Sequence, residues 1–184
     1  RSRVGALEQN RDQPSLSWQH DQDSEQRYRF IVHQLTVGVF ISNLDGVLLY
    51  ANPALVSLAG YESLHEFLRV PVQHLYASSA DRQHLIAQLI QTGAIHKAEV
   101  QVVKKDGSLH WISVSAVLQR NDRGESDTII GTVEDITDLK ASEELLRESE
   151  QRFRLAFDTS PDGIAIAQDA AGVYVAVNRG VTKL

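Results

Sequence analysis

The sequence predicts an α+β fold in which a five-stranded antiparallel sheet carries short helices on one face and leads into a C-terminal helix. Three observations predict this fold. Two short β-rich runs joined by a tight turn open the domain, helical spacing dominates its middle, and three alternating runs separated by polar turns close it. Strands joined by short turns pair antiparallel, and helices gathered in one block cover one face of such a sheet.

The opening hairpin is predicted from a strand–turn–strand pattern. Residues 37–41 and 47–51 are β-rich, and Asp45-Gly46 between them is typical of a tight turn. Asn52 then ends the second strand and can cap the next helix, because an Asn side chain accepts hydrogen bonds from free backbone N–H groups. We interpret Asn52 as a structural cap and not as a ligand contact.

The middle of the domain is predicted to be helical, with short helices over 54–59, 63–68 and 80–91. Thr92-Gly93 ends the third helix, since glycine readily adopts the left-handed conformation of a helix C-cap. Its apolar residues recur at helical spacing and form one stripe, which comprises Leu85, Ile86, Leu89 and Ile90.

Three strands follow, each recognised by the alternation of apolar and polar residues. Polar turns at 105–107 and 121–124 separate them. We expect one set of alternating residues to face the helices. This set comprises Ala98, Val100 and Val102 in the first strand, Ile112, Val114, Ala116 and Leu118 in the second, and Ile129, Gly131 and Val133 in the third.

The chain contains a long internal repeat. The segment 24–29 returns as 149–154, with five of six positions identical, at an offset of 125 residues, and Asn52 matches Asn178 after one added residue. A repeat of this length indicates tandem domains and not a solenoid. The predicted divisions are a polar lead-in over 1–23, a complete domain over 24–137, a helical linker over 138–158 and a truncated second copy over 159–184.

Two strands alone bury too little apolar surface to fold independently. The truncated copy is therefore expected to be disordered or to pair with an exposed sheet edge of the first domain or of a partner chain.

The segment after Thr137 is predicted to be a helix, with Thr137 as its N-cap. Leu139, Leu146 and Phe153 recur every seven residues, which is the spacing of a coiled-coil seam. Two interpretations stay open. The helix forms a parallel coiled-coil homodimer, or it is a solvated connection between domains.

Composition excludes several classes of function. The formal charge is −6, whereas nucleic-acid binders usually carry a basic face. Without cysteine, the chain has no disulfide, no thiolate nucleophile and no zinc site built on Cys. No apolar run approaches the ~18–20 residues of a membrane span, so we expect a cytoplasmic fragment without direct membrane contact. It starts with Arg1, so a longer parent protein with an upstream membrane anchor stays open.

Four motifs in this order resemble the PAS domain family in its common bacterial form, the S-box or PAC type. They are 44–53 with its Asp-Gly turn and Asn-Pro end, Gly60-Tyr61, 104–108 with Trp111, and 131–137, which reads GTVEDIT. The resemblance spans about 24–137 and returns in part from Ser149 onward. It implies the fold predicted above, a pocket between the sheet and its helices, dimerisation through flanking helices, and a signalling helix at the exit.

The resemblance further implies that Asp135 and Thr137 couple the sheet to the exit helix. Asp accepts and Thr donates hydrogen bonds at such a junction, although simple capping explains both residues equally well. The walls of the implied pocket are predicted to be Leu85, Leu89, Ala98, Val100, Ile112, Val114, Ala116, Gly131 and Val133. The alternative is a filled core without a ligand.

The resemblance also limits the cofactor. Flavin photochemistry of the light-oxygen-voltage type and the chromophore of photoactive yellow protein need a cysteine, and this chain has none. Heme-binding relatives place a histidine on the long helix, at the position where this chain has Arg82. His84 lies two residues later, which turns a helix by about 200°, so heme is disfavoured and the cofactor stays unknown.

No catalytic or metal site is predicted. The chain has no hydrolase elbow, phosphate loop or metalloprotease helix, and the run from His65 to Pro71 is one residue too long for a kinase phosphoacceptor box. Two functions are weighed for this fragment, which is not expected to be an enzyme. The first is a sensory PAS module of a histidine kinase or cyclic-di-GMP enzyme, and the second is a ligand-free dimerisation or spacer module.

Overall fold

A computed structural model describes residues 26–120, 127–167 and 174–181 of the chain. The predicted lead-in over 1–23 and the predicted turn over 121–124 lie outside the described residues. The chain divides into two compact units after Asp135.

The first unit confirms the predicted α+β class. Its five strands form one antiparallel sheet in the order β2-β1-β5-β4-β3. The strands are β1 (Gly38–Asn43), β2 (Leu48–Ala51), β3 (Ala94–Val103), β4 (Leu109–Gln119) and β5 (Thr128–Asp135). The helices are α1 (described over 26–34), α2 (Pro53–Leu58), α3 (Leu64–Phe67), a 3-10 helix (Val72–Leu75) and α4 (Ser79–Thr92).

The hairpin between β1 and β2 closes at the predicted Asp-Gly turn. Gly46 has φ +86°, a conformation that side-chain-bearing residues rarely adopt. Its N–H donates to the carbonyl of Asn43 at 3.1 Å, and the N–H of Asn43 donates to the carbonyl of Val47 at 3.0 Å. This turn pairs β1 with β2 so that Phe40 lies opposite Ala51, with a register shift between Ile41 and Ser42, and Asn52 follows beside the start of β1.

Asn52 is fully buried and joins three elements of the first unit. Its Oδ1 accepts from the N–H of Val39 in β1 at 2.9 Å and from the N–H of Leu55 in α2 at 3.1 Å. Its Nδ2 donates to the carbonyls of Val32 in α1 at 3.1 Å and Val37 at 3.0 Å. The predicted cap is confirmed, and the same side chain also holds the flanking helix α1.

Strand β3 departs from the predicted alternation. A register shift between Ile95 and Ala98 breaks the pairing with β4, and Lys97 in this bulge has φ +48°. Because an extra residue is inserted there, Ile95 faces the core although it lies an odd number of residues from Ala98. Ile95 was therefore missed as a core residue.

Helix α4 ends at Gly93 with φ +78°, as predicted. Leu85 and Leu89 are buried, but the side chain of Ile90 is 48% exposed. The sheet covers only a narrow stripe of this helix, and Ile90 lies about 100° around the axis from Leu89. Ile90 belongs to the apolar stripe that the sequence predicts, but it lies at the exposed margin of that stripe.

The second unit consists of a helix and a hairpin. Helix α5 (Thr137–Thr159) is followed by β6 (Ala165–Ala167) and β7 (Tyr174–Val177), which pair antiparallel as a two-stranded sheet of their own. Within its described residues, β6 and β7 pair with each other and not with an edge of the five-stranded sheet, while the expectations of disorder and of pairing with a partner chain stay predictions. Thr137 is also the first helical residue, with Ile136 at the N-cap position, so the predicted cap was displaced by one residue.

Asn178 repeats the role of Asn52 in the second unit. Its Oδ1 accepts from the N–H of Ile164 at 2.8 Å, and its Nδ2 donates to the carbonyls of Phe157 at 2.9 Å and Asp162 at 2.8 Å. These partners match Val39, Val32 and Val37 at the offset of the sequence repeat. The same buried amide therefore ties the hairpin to the preceding helix.

We expect Asn52→Ala to lower the free energy of unfolding of the first unit by about 2–4 kcal/mol, because each buried partner left unsatisfied costs about 1–3 kcal/mol. Asn43→Ala is the matched control, since Asn43 makes one exposed side-chain bond, to the N–H of Val47. It should cost less than about 1 kcal/mol. Urea denaturation followed by circular dichroism measures both, and equal losses would contradict the role given to Asn52.

Candidate functional site

A cavity of about 90 Å³ lies between the sheet and the helices of the first unit. Its walls are predominantly aliphatic and aromatic side chains from the strands and from α2 and α4. Six of the nine predicted wall residues line it: Leu85, Leu89, Ile112, Val114, Ala116 and Val133. An apolar enclosure with a few polar groups is the usual form of a small-molecule site.

The other three predicted wall residues do not line the cavity. Gly131 is covered by the ring of Phe40, because a Cβ atom at Gly131 would lie 2.6 Å from the Phe40 Cε1 atom. Val100 is buried in the core, and Ala98 follows the bulge in β3 and is only partly buried. Phe40, which does line the cavity, was missed because its contact with Gly131 joins strands far apart in sequence.

Arg82 and Tyr76 are among the polar residues that line the cavity. Arg82 on α4 donates from Nη2 to the carbonyl of Leu44 at 3.3 Å, while its Nε is buried with no hydrogen-bond partner among the described residues. Burial raises the pKa of the Tyr76 phenol, and the nearby Arg82 charge lowers it to a smaller extent. Tyr76 is therefore a neutral phenol at physiological pH beside a guanidinium.

Lys104 connects the cavity to the end of the sheet. It lines the cavity, and its Nζ lies 3.6 Å from Oδ2 of Asp135, the last residue of β5. Nδ1 of His110 lies 3.2 Å from the same oxygen. The side chains are partly buried, with 19% of Lys104 and 34% of Asp135 exposed, so the ion pair is less screened by water than a surface pair.

The hairpin that follows Lys104 fixes its backbone. The N–H of Lys104 donates to the carbonyl of Ser108 at 2.9 Å, and Gly107 has φ +86°. Asp106 Oδ1 accepts from the Ser108 hydroxyl at 2.6 Å and from its N–H at 2.9 Å, which lowers the pKa of the Asp106 carboxyl. Lys105 is held by Glu66, with Nζ and Oε1 2.8 Å apart.

Comparison with known families identifies the fold. A PAS domain model matches residues 36–138, and a second PAS domain model matches residues 151–184. The chain belongs to the PAS domain family. The two matches fit a tandem arrangement in which the sequence contains the second copy only in part, as the internal repeat predicts.

Three curated relatives carry similar segments. The chain is 26% identical to the sensor histidine kinase TmoS of Ectopseudomonas mendocina over 71% of its length and 14% of the relative. It is 28% identical to sporulation kinase C of Bacillus subtilis, over 91% of the chain and 38% of the relative. It is 24% identical to the probable diguanylate cyclase DgcE of Escherichia coli, over 79% of the chain and 13% of the relative. The chain thus spans well under half of each of these relatives.

Solved PAS domains share the fold. A PAS domain from a two-component sensor histidine kinase superposes with a TM-score of 0.55 at 14% identity, over 62% of this chain and 98% of that one. A PAS domain from Colwellia psychrerythraea superposes with a TM-score of 0.55 at 22% identity, over 63% of this chain and 98% of that one. At these identities the likeness establishes the fold alone.

Beyond the PAS cavity, α5 presents the predicted heptad residues to solvent. Leu139, Leu146 and Phe153 are 53%, 62% and 57% exposed in the single chain. The rings of Phe153 and Phe157 stack 5.7 Å apart on the same helix. Both interpretations of this helix, a dimer seam and a solvated connection, remain predictions.

The histidines weighed in the sequence lie away from the PAS cavity. His84 is exposed on α4, and His65 is exposed with Nε2 3.1 Å from Nη2 of Arg69. Among residues 26–120, 127–167 and 174–181, no group of three His, Asp or Glu side chains is placed to hold a metal ion. Within the same residues, no helix combines the length and hydrophobicity of a membrane span.

Proposed function

We propose that this chain is the sensory part of a multidomain signalling protein. The first PAS domain binds a small ligand or a partner, and the state of its cavity is passed through the exit helix α5 to domains beyond residue 184. The chain itself acts as a regulator and not as an enzyme. Its proposed location is the cytoplasm, with no nucleic acid or membrane contact of its own, and a membrane anchor elsewhere in the parent stays open.

The contact that carries this proposal is the pair between Lys104 and Asp135. Lys104 is both a wall of the cavity and a partner of the last strand residue before α5. A ligand that displaces the Lys104 side chain changes the charge balance at Asp135, one residue before the N-cap position of the helix. Such a ligand shifts the helix only to the extent that it binds the two states unequally.

The relatives support an output of phosphotransfer or cyclic-dinucleotide chemistry. Two of them are named as kinases and one as a probable diguanylate cyclase. In this proposal the parent of the present chain carries such a domain, and the PAS cavity regulates it. The function of the fragment does not depend on which of the two outputs is attached.

A second candidate function is a ligand-free dimerisation or spacer module. The observation that favours it is the exposure of three heptad residues on α5. An amphipathic helix with an uncovered apolar seam gains stability by pairing with a second copy. Dimerisation is compatible with sensing, so the two candidates differ in whether the cavity influences the helix.

Filling the cavity by substitution tests the coupling without a ligand. Ala116 lines the cavity and is 5% exposed, so Ala116→Leu places three more carbon atoms inside it. We expect amide exchange in residues 136–140 to change by about fivefold or more, a typical coupling between sites. Hydrogen exchange followed by mass spectrometry measures it.

Val117→Leu is the control for this experiment. Val117 is the next residue of β4 but faces outward and is 48% exposed. It should leave exchange in residues 136–140 unchanged. If Ala116→Leu folds and also leaves this exchange unchanged, the sensor proposal is wrong and the spacer function stands. If Ala116→Leu does not fold, Leu89→Phe provides the same test from α4.

Leu146→Glu tests the dimer seam. We expect the unmodified chain to sediment as a dimer and the variant as a monomer, because a carboxylate at the seam is buried without a partner. Leu155→Glu is the matched control, since Leu155 is 66% exposed but lies off the heptad positions. Analytical ultracentrifugation measures all three proteins. If Leu146→Glu still sediments as a dimer, the proposal that the heptad residues of α5 form the dimer interface is wrong.

A further inference from the structure

The cavity contains an arginine without a charged partner. Arg82 lines the cavity from α4, and no Asp or Glu is among the residues that line it with Arg82. Within the described parts of the chain, the recorded partner of its guanidinium is a neutral one, the carbonyl of Leu44. Its Nε is shielded from solvent and donates no hydrogen bond to any described residue.

The surroundings of Arg82 do not compensate its charge. Tyr76 lines the same cavity, and burial raises the pKa of its phenol, so no phenolate balances the guanidinium at neutral pH. The second cation of the lining, Lys104, already pairs with Asp135. Arg82 is half-buried, and a buried donor such as its Nε costs free energy when it has no acceptor. The lining as a whole therefore favours an anion.

The remaining walls favour a hydrocarbon body attached to that anion. Leu85 lies three residues from Arg82 on α4, and Ile112 and Val114 of β4 line the same cavity. A cavity of about 90 Å³ is smaller than the 150 Å³ cavity known to bind benzene, so it takes a ligand of at most about six non-hydrogen atoms. A free inorganic anion would leave these apolar walls without contacts.

We propose that the cavity binds a short monocarboxylic acid, whose carboxylate accepts hydrogen bonds from Arg82 and whose aliphatic chain lies among Leu89, Ile112 and Val114. A guanidinium binds a carboxylate through two parallel N–H···O bonds, and Nε with one Nη provides such a pair. This inference rests on the proposed sensory function and names the chemical class of its ligand.

The test compares an acid with its neutral amide on the complete 184-residue chain. Butyrate and butyramide have the same size and the same hydrocarbon body, and differ in charge. Calorimetric titration at pH 7 should give butyrate an affinity at least about tenfold higher, the equivalent of 1.4 kcal/mol. The NMR signal of the Arg82 Nε–H group should shift with butyrate and not with butyramide.

A variant then assigns the preference to Arg82. Arg82→Met keeps a long apolar side chain and removes the charge, so it should lose the preference for butyrate while it still binds butyramide. Arg69→Met is the control, because Arg69 is exposed and lies outside the cavity lining. It should bind both compounds as the unmodified chain does. If Arg82→Met does not fold, the acid–amide comparison on the unmodified chain decides alone.

Each outcome has one consequence. If butyramide binds as tightly as butyrate, the anion inference is wrong and the cavity still binds a neutral ligand as the sensory function requires. If neither compound binds, the inference is also wrong, and the exchange experiment on Ala116→Leu decides separately whether the cavity is coupled to α5. If Arg82→Met keeps the preference for butyrate, the assignment to Arg82 is wrong.

Discussion

The structure depends on one buried amide in each copy of the repeat. Asn52 is inaccessible to water and makes four side-chain hydrogen bonds, which join α1, the start of β1 and the first turn of α2. Every one of its partners is a backbone group that would otherwise be buried without a partner or exposed at an element end. Asn178 makes the counterparts of three of these bonds in the second copy, so the sequence repeat is a repeat of this interaction.

In each copy, the buried amide binds the helix that precedes the first strand. Val32, whose carbonyl Asn52 binds, lies on the flanking helix of the first copy, and Phe157, whose carbonyl Asn178 binds, lies near the end of α5. A single 23-residue helix thus leaves the last strand of one PAS domain and serves as the flanking helix of the next. Under the proposed function, a change at Asp135 acts on the start of α5, and the end of α5 carries the Phe157 carbonyl that Asn178 binds.

The sequence predicted what is local, and the structure added what joins distant residues. Alternation, the Asp-Gly turn and the Asn cap predicted the five strands, the first hairpin and six of the residues that line the cavity, because each depends on neighbours within a few positions. The bulge at Lys97, the cover of Gly131 by Phe40 and the Lys104–Asp135 pair were not predicted. The last two join residues that lie 31 or more positions apart. Arg82 was considered in the sequence only as the position of an absent heme ligand.

Side-chain amide exchange of Asn52 tests the central claim most directly. If its Nδ2–H₂ group binds two backbone carbonyls in a water-free site, NMR should show its hydrogens exchanging with D₂O at least about a hundredfold more slowly than those of the more exposed Asn43. Protection of Asn178 by the same measurement would extend the result to the second copy. Exchange of Asn52 as fast as that of Asn43 would contradict the claim that this amide holds the flanking helix to the sheet.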